Sequence, residues 1–216
     1  MEFKPFRKIP RLNRECVVTE KLDGTNASVY ISDDGLTFLV GSRNRWITPE
    51  NDNYGFARWA YKNKDELLKL GPGHHFGEWW GSGCQRGYGF RNGEKRFSLF
   101  NTYRWSDNAG VRPSCCHVVP VLYQGPFLAL SMTATIERLV NEGSVAAPGF
   151  MDPEGIVIFH SASGTLFKKT IKNDENGKQI AEIVQATKND SRTAQEKIED
   201  GVKFVMGRMR DTGTGV

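Results

Sequence analysis

The sequence predicts an α+β fold in which antiparallel β-sheets are flanked by helices. Short β-prone runs bounded by turn residues recur through residues 1–172, a pattern typical of antiparallel sheets. Residues 173–216 instead carry apolar side chains at helical spacing. With 38% hydrophobic residues, 13 Phe and 5 Trp, the chain has enough apolar surface to build a core. We therefore expect one folded domain over residues 1–172 and a helical C-terminal extension over residues 173–216, packed on that domain.

The first three predicted strands surround Lys21. A β-prone run covers residues 15–21 and ends at an Asp-Gly pair, which favours a turn. A second run covers residues 26–31, and a hairpin turn then leads into a third run at residues 36–40. Lys21 is therefore expected where a strand meets a turn, beside a short antiparallel meander.

The rest of the first 172 residues alternates between helical and β spacing. Apolar residues recur every three or four positions in the predicted helices, whereas β-branched and aromatic residues fill the predicted strands. In chain order, we expect a helix over 53–70, a strand over 74–81, strands over 95–101 and 115–123, a helix over 131–141, and a hairpin of strands over 153–160 and 165–172.

The position of Lys21 is typical of a nucleophile, rooted in a strand but directed at a cleft. A lysine with its ordinary pKa of about 10.4 is a poor nucleophile at neutral pH. Neighbouring cations or partial desolvation would have to lower that pKa. The alternative is a solvated lysine beside an ordinary Asp-Gly turn.

The positive charge of the chain is concentrated in its first 172 residues. The net charge is +4, and residues 173–216 are nearly balanced. Residues 1–14 hold five Lys or Arg together with two prolines, and we expect an extended basic arm. A second basic stretch begins at residue 86 and is interleaved with aromatic side chains, a combination that suits phosphates and stacked bases. Its candidate nucleic-acid contacts are Arg86, Arg91, Lys95 and Arg96. The alternative is a solvated loop with some core aromatics.

The cysteines and the N-terminus indicate a cytoplasmic protein. Of the four cysteines, two are adjacent, which suits reduced structural thiols better than a disulfide framework. A zinc site built from these cysteines and nearby histidines would lack the usual Cys-x2-Cys spacing. The first residues have no apolar signal-peptide core, and no apolar run is long enough to span a membrane.

Six short motifs follow one another along the chain. They are Lys21-x-Asp23-Gly24, Ser42-Arg43, Phe76-Gly77-Glu78-Trp79, Phe97-x-x-Phe100, Glu154-Gly155-Ile156-Val157 and Lys168. In this order they resemble motifs I, Ia, III, IIIa, IV and V of the covalent nucleotidyltransferases, which comprise ATP-dependent DNA and RNA ligases and mRNA capping enzymes. Over residues 20–172 the chain is most similar to RNA ligases of type 2, and to small phage-encoded RNA ligases in particular. Asn26 matches a position that those ligases use.

The resemblance implies a fold and a reaction. The fold is an ATP-grasp-like nucleotidyltransferase domain of two antiparallel sheets around an ATP cleft. In the reaction, Lys21 attacks the α-phosphate of ATP and forms lysyl-AMP, with release of pyrophosphate. AMP then passes to an RNA 5′-phosphate, and a 3′-hydroxyl displaces AMP to seal the strand.

The resemblance also assigns roles to individual residues. The implied catalytic residues are Lys21, Lys168 and Glu154, of which Glu154 is also the implied Mg²⁺ ligand. Glu78 would bind the ribose and Phe100 would stack on adenine. The implied cofactor-binding set is Glu20, Lys21, Asn26, Arg43, Glu78, Phe100, Lys168 and Lys172.

The chain departs from the family pattern at two motifs. Thr170 stands where a second motif V lysine is usual, so that phosphate contact falls to Lys172 or Lys169. Motif IIIa ends in Asn101 in place of aspartate. Because residues 173–216 are too few for the oligonucleotide-binding domain of DNA ligases and capping enzymes, we expect the chain to resemble neither of these relatives.

The expected partner is RNA, as a nicked duplex or as broken ends, and the expected state is a monomer. One alternative is a minimal DNA ligase or a ligase that accepts mixed RNA and DNA. Another is a nucleic-acid end-binding module with weak turnover, which the short tail and imperfect motifs would explain.

Overall fold

Most of the regular secondary structure lies in two β-sheets in the computed structural model, which describes residues 2–106 and 112–172. The predicted α+β class is confirmed. The strands are β1 (Glu15–Lys21), β2 (Thr25–Ile31), β3 (Phe38–Ser42), β4 (Trp46–Ile47), β5 (Gly73–Gly81), β6 (Lys95–Leu99), β7 (Cys116–Val118), β8 (Val121–Pro126), β9 (Gly155–His160) and β10 (Thr165–Thr170). The helices are α1 (Phe56–Lys62), α2 (Lys64–Leu67), α3 (Thr102–Trp105) and α4 (Ala129–Glu142), with 3₁₀ turns at Leu68–Leu70 and Gly87–Gly89.

The turn that follows Lys21 connects the two sheets. The four-stranded sheet has the order β10-β9-β1-β8, and the six-stranded sheet has the order β4-β3-β2-β5-β6-β7. Neighbouring strands are antiparallel except for β6 and β7, which pair in parallel. Because β1 belongs to one sheet and β2 to the other, the turn between them joins the sheets directly after the lysine.

An aromatic core covers one face of the six-stranded sheet. The side chains of Trp79 and Phe97 pack against Phe56 of α1, with ring centroids 5.5 and 5.0 Å from the Phe56 ring. Burying each such side chain contributes about 1.5–3 kcal/mol. Strand alternation sends the neighbouring Trp80 to the opposite face, where it packs with Leu22. The opposite face is therefore the one that can border a cleft.

Helix α4 packs on the four-stranded sheet through one apolar stripe. Met132, Ile136 and Leu139 are buried at helical spacing, and the helix lies against β8 and β9. Within residues 2–106 and 112–172, no helix is long and apolar enough to cross a membrane.

Two predicted elements differ from the structure. The predicted helix over 53–70 is broken at Asn63, whose side-chain amide donates to the Trp59 carbonyl at 2.8 Å. The predicted strand over 115–123 is two strands in different sheets, separated at Val119-Pro120, because proline has no N–H to donate to a ladder.

Two further predictions concern the ends of the chain. Residues 2–14 are exposed and contain no helix or strand, in agreement with the predicted arm. The predicted helical extension over 173–216 lies outside the described residues.

Candidate active site

Lys21 and Glu154 form the centre of the site. Lys21 is the last residue of β1, and its register partner on β9 is Gly155. Glu154 therefore lies next to the lysine, and its Oε2 is 2.5 Å from Lys21 Nζ. The two side chains are 23% and 16% exposed, so the ion pair is largely shielded but remains open to a ligand.

Gly24 brings the turn after the lysine close to the six-stranded sheet. A Cβ at this position would lie 2.3 Å from the carbonyl oxygen of Trp79, so only glycine fits without a shift of the backbone. The Gly24 N–H donates to Glu78 Oε1 at 3.1 Å. The loop after Lys21 is thus hydrogen-bonded directly to Glu78, the candidate ribose-binding carboxylate.

The six-stranded sheet brings three of the predicted site residues to one end of its central strands. Asn26 pairs with Glu78, and Arg43 directly follows Ser42, the last residue of β3, which pairs with Ala27. Directly paired residues share a face of the sheet, and this is the face that also carries Trp80. The charges of Lys21, Glu154 and Arg43 all act on Glu78, which indicates that the four groups converge.

Burial raises the pKa of Glu78 to about 7 from an ordinary value of 4.5. The hydrogen bond from Gly24 and the positive charges of Lys21 and Arg43 oppose this shift, while the negative charge of Glu154 adds to it. Near neutral pH, Glu78 can therefore act as a hydrogen-bond donor or as an acceptor, as a ribose hydroxyl requires.

The face of the four-stranded sheet that carries Lys21 also carries Lys168. Lys168 pairs with Val157 and Thr170 pairs with Gly155, so both side chains share the face of Lys21. Lys168 is exposed, and no carboxylate of residues 2–106 or 112–172 lies within ion-pair distance of it. Its charge is available to an anion in the cleft.

The two candidates for the second phosphate-binding lysine differ in position. Lys169 follows Lys168 on β10, and alternation turns it to the opposite face, away from Lys21. Lys172 lies beyond the strand, with Nζ 2.5 Å from Asp152 Oδ1. The geometry favours Lys172 over Lys169 for this contact.

The structure places Arg86 in ion pairs within the protein, whereas the sequence predicts a nucleic-acid contact. Its Nε lies 2.8 Å from Asp23 Oδ2, and its Nη1 lies 2.9 Å from Asp152 Oδ2 and 3.0 Å from the Asp152 carbonyl oxygen. The side chain is only 19% exposed. Arg86 therefore joins the loop after Lys21 to the segment before Glu154.

Tyr88, which the sequence did not assign to the site, supports the same loop by accepting a hydrogen bond from the Asp23 N–H at 2.8 Å.

The other three basic candidates do not form a continuous row of free cations. The guanidinium of Arg96 lies 4.5 Å from the Phe90 ring centroid and 3.1 Å from Glu94 Oε1. Lys95 is partly buried where it pairs with Gly81, and Arg91 is exposed. A nucleic-acid contact by these residues stays a prediction.

The Glu20 carboxylate lies on the opposite face of β1 from Lys21. It is 1% exposed and accepts hydrogen bonds from Ser144 Oγ and from the N–H groups of Val145 and Ala146, at 2.5, 2.9 and 3.0 Å. Burial raises the pKa of Glu20 although these hydrogen bonds oppose the shift. This position differs from the predicted cofactor contact, because the side chain is occupied in anchoring the loop after α4.

Phe100 lies at the edge of the cleft face. Leu99 pairs with Gly77, so Phe100 is opposite Phe76, whose carbonyl accepts its N–H at 3.0 Å. The Phe100 ring is 40% exposed, as a stacking surface requires.

Asn101, the departure from motif IIIa, caps α3 by accepting a hydrogen bond from the Arg104 N–H.

The residues of the cleft fit a metal ion held mainly by its substrate. Glu154 offers a carboxylate, which suits Mg²⁺ or Mn²⁺ together with phosphate oxygens and water. Among the described residues there is no cluster of three or more His, Cys, Asp or Glu that could form a complete protein cage.

Known proteins resemble this chain in sequence family and in fold. The chain matches the family model described as RNA ligase over residues 14–181. Among solved structures it is similar to Naegleria gruberi RNA ligase, as a mutant with AMP and Mn (TM-score 0.57, 22% identity, 74% of this chain and 50% of that chain) and as a mutant with ATP and Mn (0.55, 23%, 74% and 50%). A third structure of that ligase, with PPi, has a TM-score of 0.52 at 23% identity over 73% of this chain and 50% of that chain. The chain thus spans about half the length of these proteins. No curated protein matches it.

Proposed function

The chain belongs to the RNA ligase family, and from this premise we propose that it is an ATP-dependent RNA ligase that acts through lysyl-AMP. One observation carries the proposal. Lys21 and Lys168 share one face of the four-stranded sheet, while Asn26 and Glu78 share a row of the six-stranded sheet, and the Gly24 turn joins the two. A nucleotide in this cleft would meet a nucleophile, a phosphate-binding cation and ribose-binding groups together.

The first step is the attack of Lys21 Nζ on the α-phosphorus of ATP. A nitrogen–phosphorus bond forms, the bond to the bridging oxygen breaks, and pyrophosphate leaves. The ammonium must first lose a proton, and Glu154 Oε2 at 2.5 Å is its nearest acceptor. Glu154 would also be the residue that holds a divalent cation, and the chemistry such a cation would supply here is neutralisation of the phosphate charge.

The other residues of the cleft position and stabilise the nucleotide. Lys168, free of carboxylate partners among the described residues, would stabilise the charge that develops on the α-phosphate oxygens. Glu78 would bind the ribose through its second carboxylate oxygen, and Phe100 would stack on adenine. Positioning and electrostatic stabilisation of this kind supply most of the catalysis in phosphoryl transfer.

The later steps define the substrate. AMP passes to the 5′-phosphate of an RNA strand, and a 3′-hydroxyl then attacks that phosphate and displaces AMP. We propose nicked duplexes or broken RNA ends as the physiological substrate, joined by the monomer. A DNA or mixed substrate is the alternative.

Sealing assays on matched nicked duplexes test the proposal. Four duplexes, with RNA or DNA on either side of the nick, are incubated with ATP and Mg²⁺, with Lys21→Ala as the inactive control. We expect sealing when RNA supplies the 3′-hydroxyl. Sealing of the all-DNA nick alone would indicate a DNA ligase. Tight binding without sealing of any duplex would support the end-binding module.

A further inference from the structure

An exposed aromatic surface lies on the cleft face of the six-stranded sheet, outside the predicted nucleotide site. It consists of Trp46, His74 and Phe76, here called the aromatic ledge. The Trp46 and His74 ring centroids are 5.5 Å apart with planes at 28°, and those of His74 and Phe76 are 4.0 Å apart at 32°. Trp46 is 50% exposed and Phe76 is 48% exposed. Exposed apolar patches of this kind usually mark a binding surface.

The ledge directly borders the predicted nucleotide site. Phe76 pairs with Ser28, Ser28 pairs with Gly41, and Gly41 pairs with Trp46, so one row crosses four strands. The row of Asn26 and Glu78 is the next one on the same face, two residues or about 6.6 Å along the strands. A polymer that enters the cleft along this side of the sheet would cross the ledge.

Ser28 and Gly41 in this row are small, which lets the Trp46 side chain lie across the sheet. A Cβ on Gly41 would lie 3.2 Å from the Trp46 ring, so the indole covers this glycine. Burial lowers the pKa of His74, which favours the uncharged imidazole. The ledge thus offers neutral ring surface over most of its length.

Positive charge accompanies the rings. Arg43 and Arg45 are exposed in the turn that leads to Trp46, and no carboxylate of the described residues forms an ion pair with either. Glu50 is the one acid in residues 41–51. Stacking rings beside unpaired cations suit a ligand that carries both bases and phosphates, whereas an apolar peptide would not require the cations.

We propose that the aromatic ledge stacks nucleobases of the RNA strand whose end enters the cleft. This inference rests on the proposed function and extends the site from the reacting phosphate to the adjoining bases. Stacking on aromatic side chains does not depend on base identity, so the ledge would bind RNA strands of different sequence.

Two variants and one control test the ledge. Trp46→Leu and His74→Ala remove rings from it, and Tyr61→Leu removes an exposed ring from α1, on the other side of the sheet. The probes are a 5′-phosphorylated single-stranded RNA and the same strand with abasic riboses next to the phosphate. We expect Trp46→Leu to bind the normal RNA roughly 5- to 150-fold more weakly than the parent, the range for one stacked base. The control should bind within twofold of the parent, and adenylylation by ATP should be unchanged in all variants.

The abasic strand separates stacking from phosphate binding. The parent should bind it more weakly than normal RNA, and Trp46→Leu should bind both strands alike. Equal affinity of parent and both ledge variants for normal RNA would overturn the ledge while leaving adenylylation intact. If Trp46→Leu lost affinity equally for the normal and the abasic strand, the ledge would bind phosphates and the stacking proposal would be wrong. A change in oligomeric state of Trp46→Leu would assign the surface to a second copy of the chain. Failure of the parent to form lysyl-AMP would instead overturn the proposed function.

Discussion

Replacing Arg86 by alanine should destabilise the domain and slow nucleotidyl transfer. The guanidinium bridges Asp23, two residues after Lys21, and Asp152, two residues before Glu154. Arg86 is 19% exposed and its two acidic partners are 28% and 47% exposed. Its loss should therefore cost more than the ~1 kcal/mol of a surface pair and less than the 3–5 kcal/mol of a fully buried one. We expect a decrease of about 2 kcal/mol in the free energy of unfolding, which lowers Tm by about 4–8 °C in a domain of this size.

Two further variants identify the cause of that loss. Arg86→Lys keeps the charge, but one ammonium cannot reproduce the forked contact with two carboxylates, so an intermediate Tm is expected. Arg91→Ala removes an exposed arginine from the same stretch of sequence and should change the free energy of unfolding by less than about 0.5 kcal/mol.

The assay combines thermal unfolding with adenylylation by ATP, followed by intact mass. Arg86→Ala should be impaired in both, and Arg91→Ala in neither. If Arg86→Ala unfolds at the temperature of the parent and loses only RNA affinity, the ion pairs with Asp23 and Asp152 do not stabilise the fold. The residue would then be the nucleic-acid contact that the sequence predicts.

Three other residues give independent predictions. Because the folded-state pKa of Glu78 is raised from 4.5 to about 7, its contribution to stability is lost as pH rises through this interval. Between pH 5 and 8 the Tm of the parent should therefore fall more than that of Glu78→Gln, and parallel curves would contradict the shift. Lys168→Ala should lower the rate of adenylylation roughly 10- to 1000-fold, whereas Lys169→Ala, on the opposite face, should not; equal effects would contradict the assigned faces. Gly24→Ala should cost about 1–3 kcal/mol, because its Cβ would lie 2.3 Å from a backbone oxygen of β5, and an unchanged Tm would show that the turn can move.

Local patterns in the sequence were sufficient to locate Lys21 and its strands. The apolar run over residues 15–21, the Asp-Gly turn and the second run predict β1 and β2 to within a residue, because strand and turn preferences act over a few neighbouring positions. Alternation on β10 likewise predicts that Lys168 and Thr170 share a face. The order of motifs then predicts the family, which the match over residues 14–181 confirms.

Features that depend on distant partners could not be predicted in this way. In the sequence Arg86 belongs to a basic stretch, and nothing local shows that its partners lie 63 and 66 residues away. Glu20 is adjacent to Lys21, but its partners follow α4 and lie more than a hundred residues further along the chain. The break near Pro120 is visible as a proline, yet the assignment of the two halves to different sheets depends on the whole fold.

Intact mass after incubation with ATP and Mg²⁺ tests most directly whether Lys21 is a covalent nucleophile. The protein is first treated with pyrophosphate to remove any bound AMP, and Lys21→Ala is measured in parallel. We expect a gain of one AMP in the parent and none in the variant. A gain in both would place the nucleotide elsewhere. No gain in the parent would contradict the proposed activity.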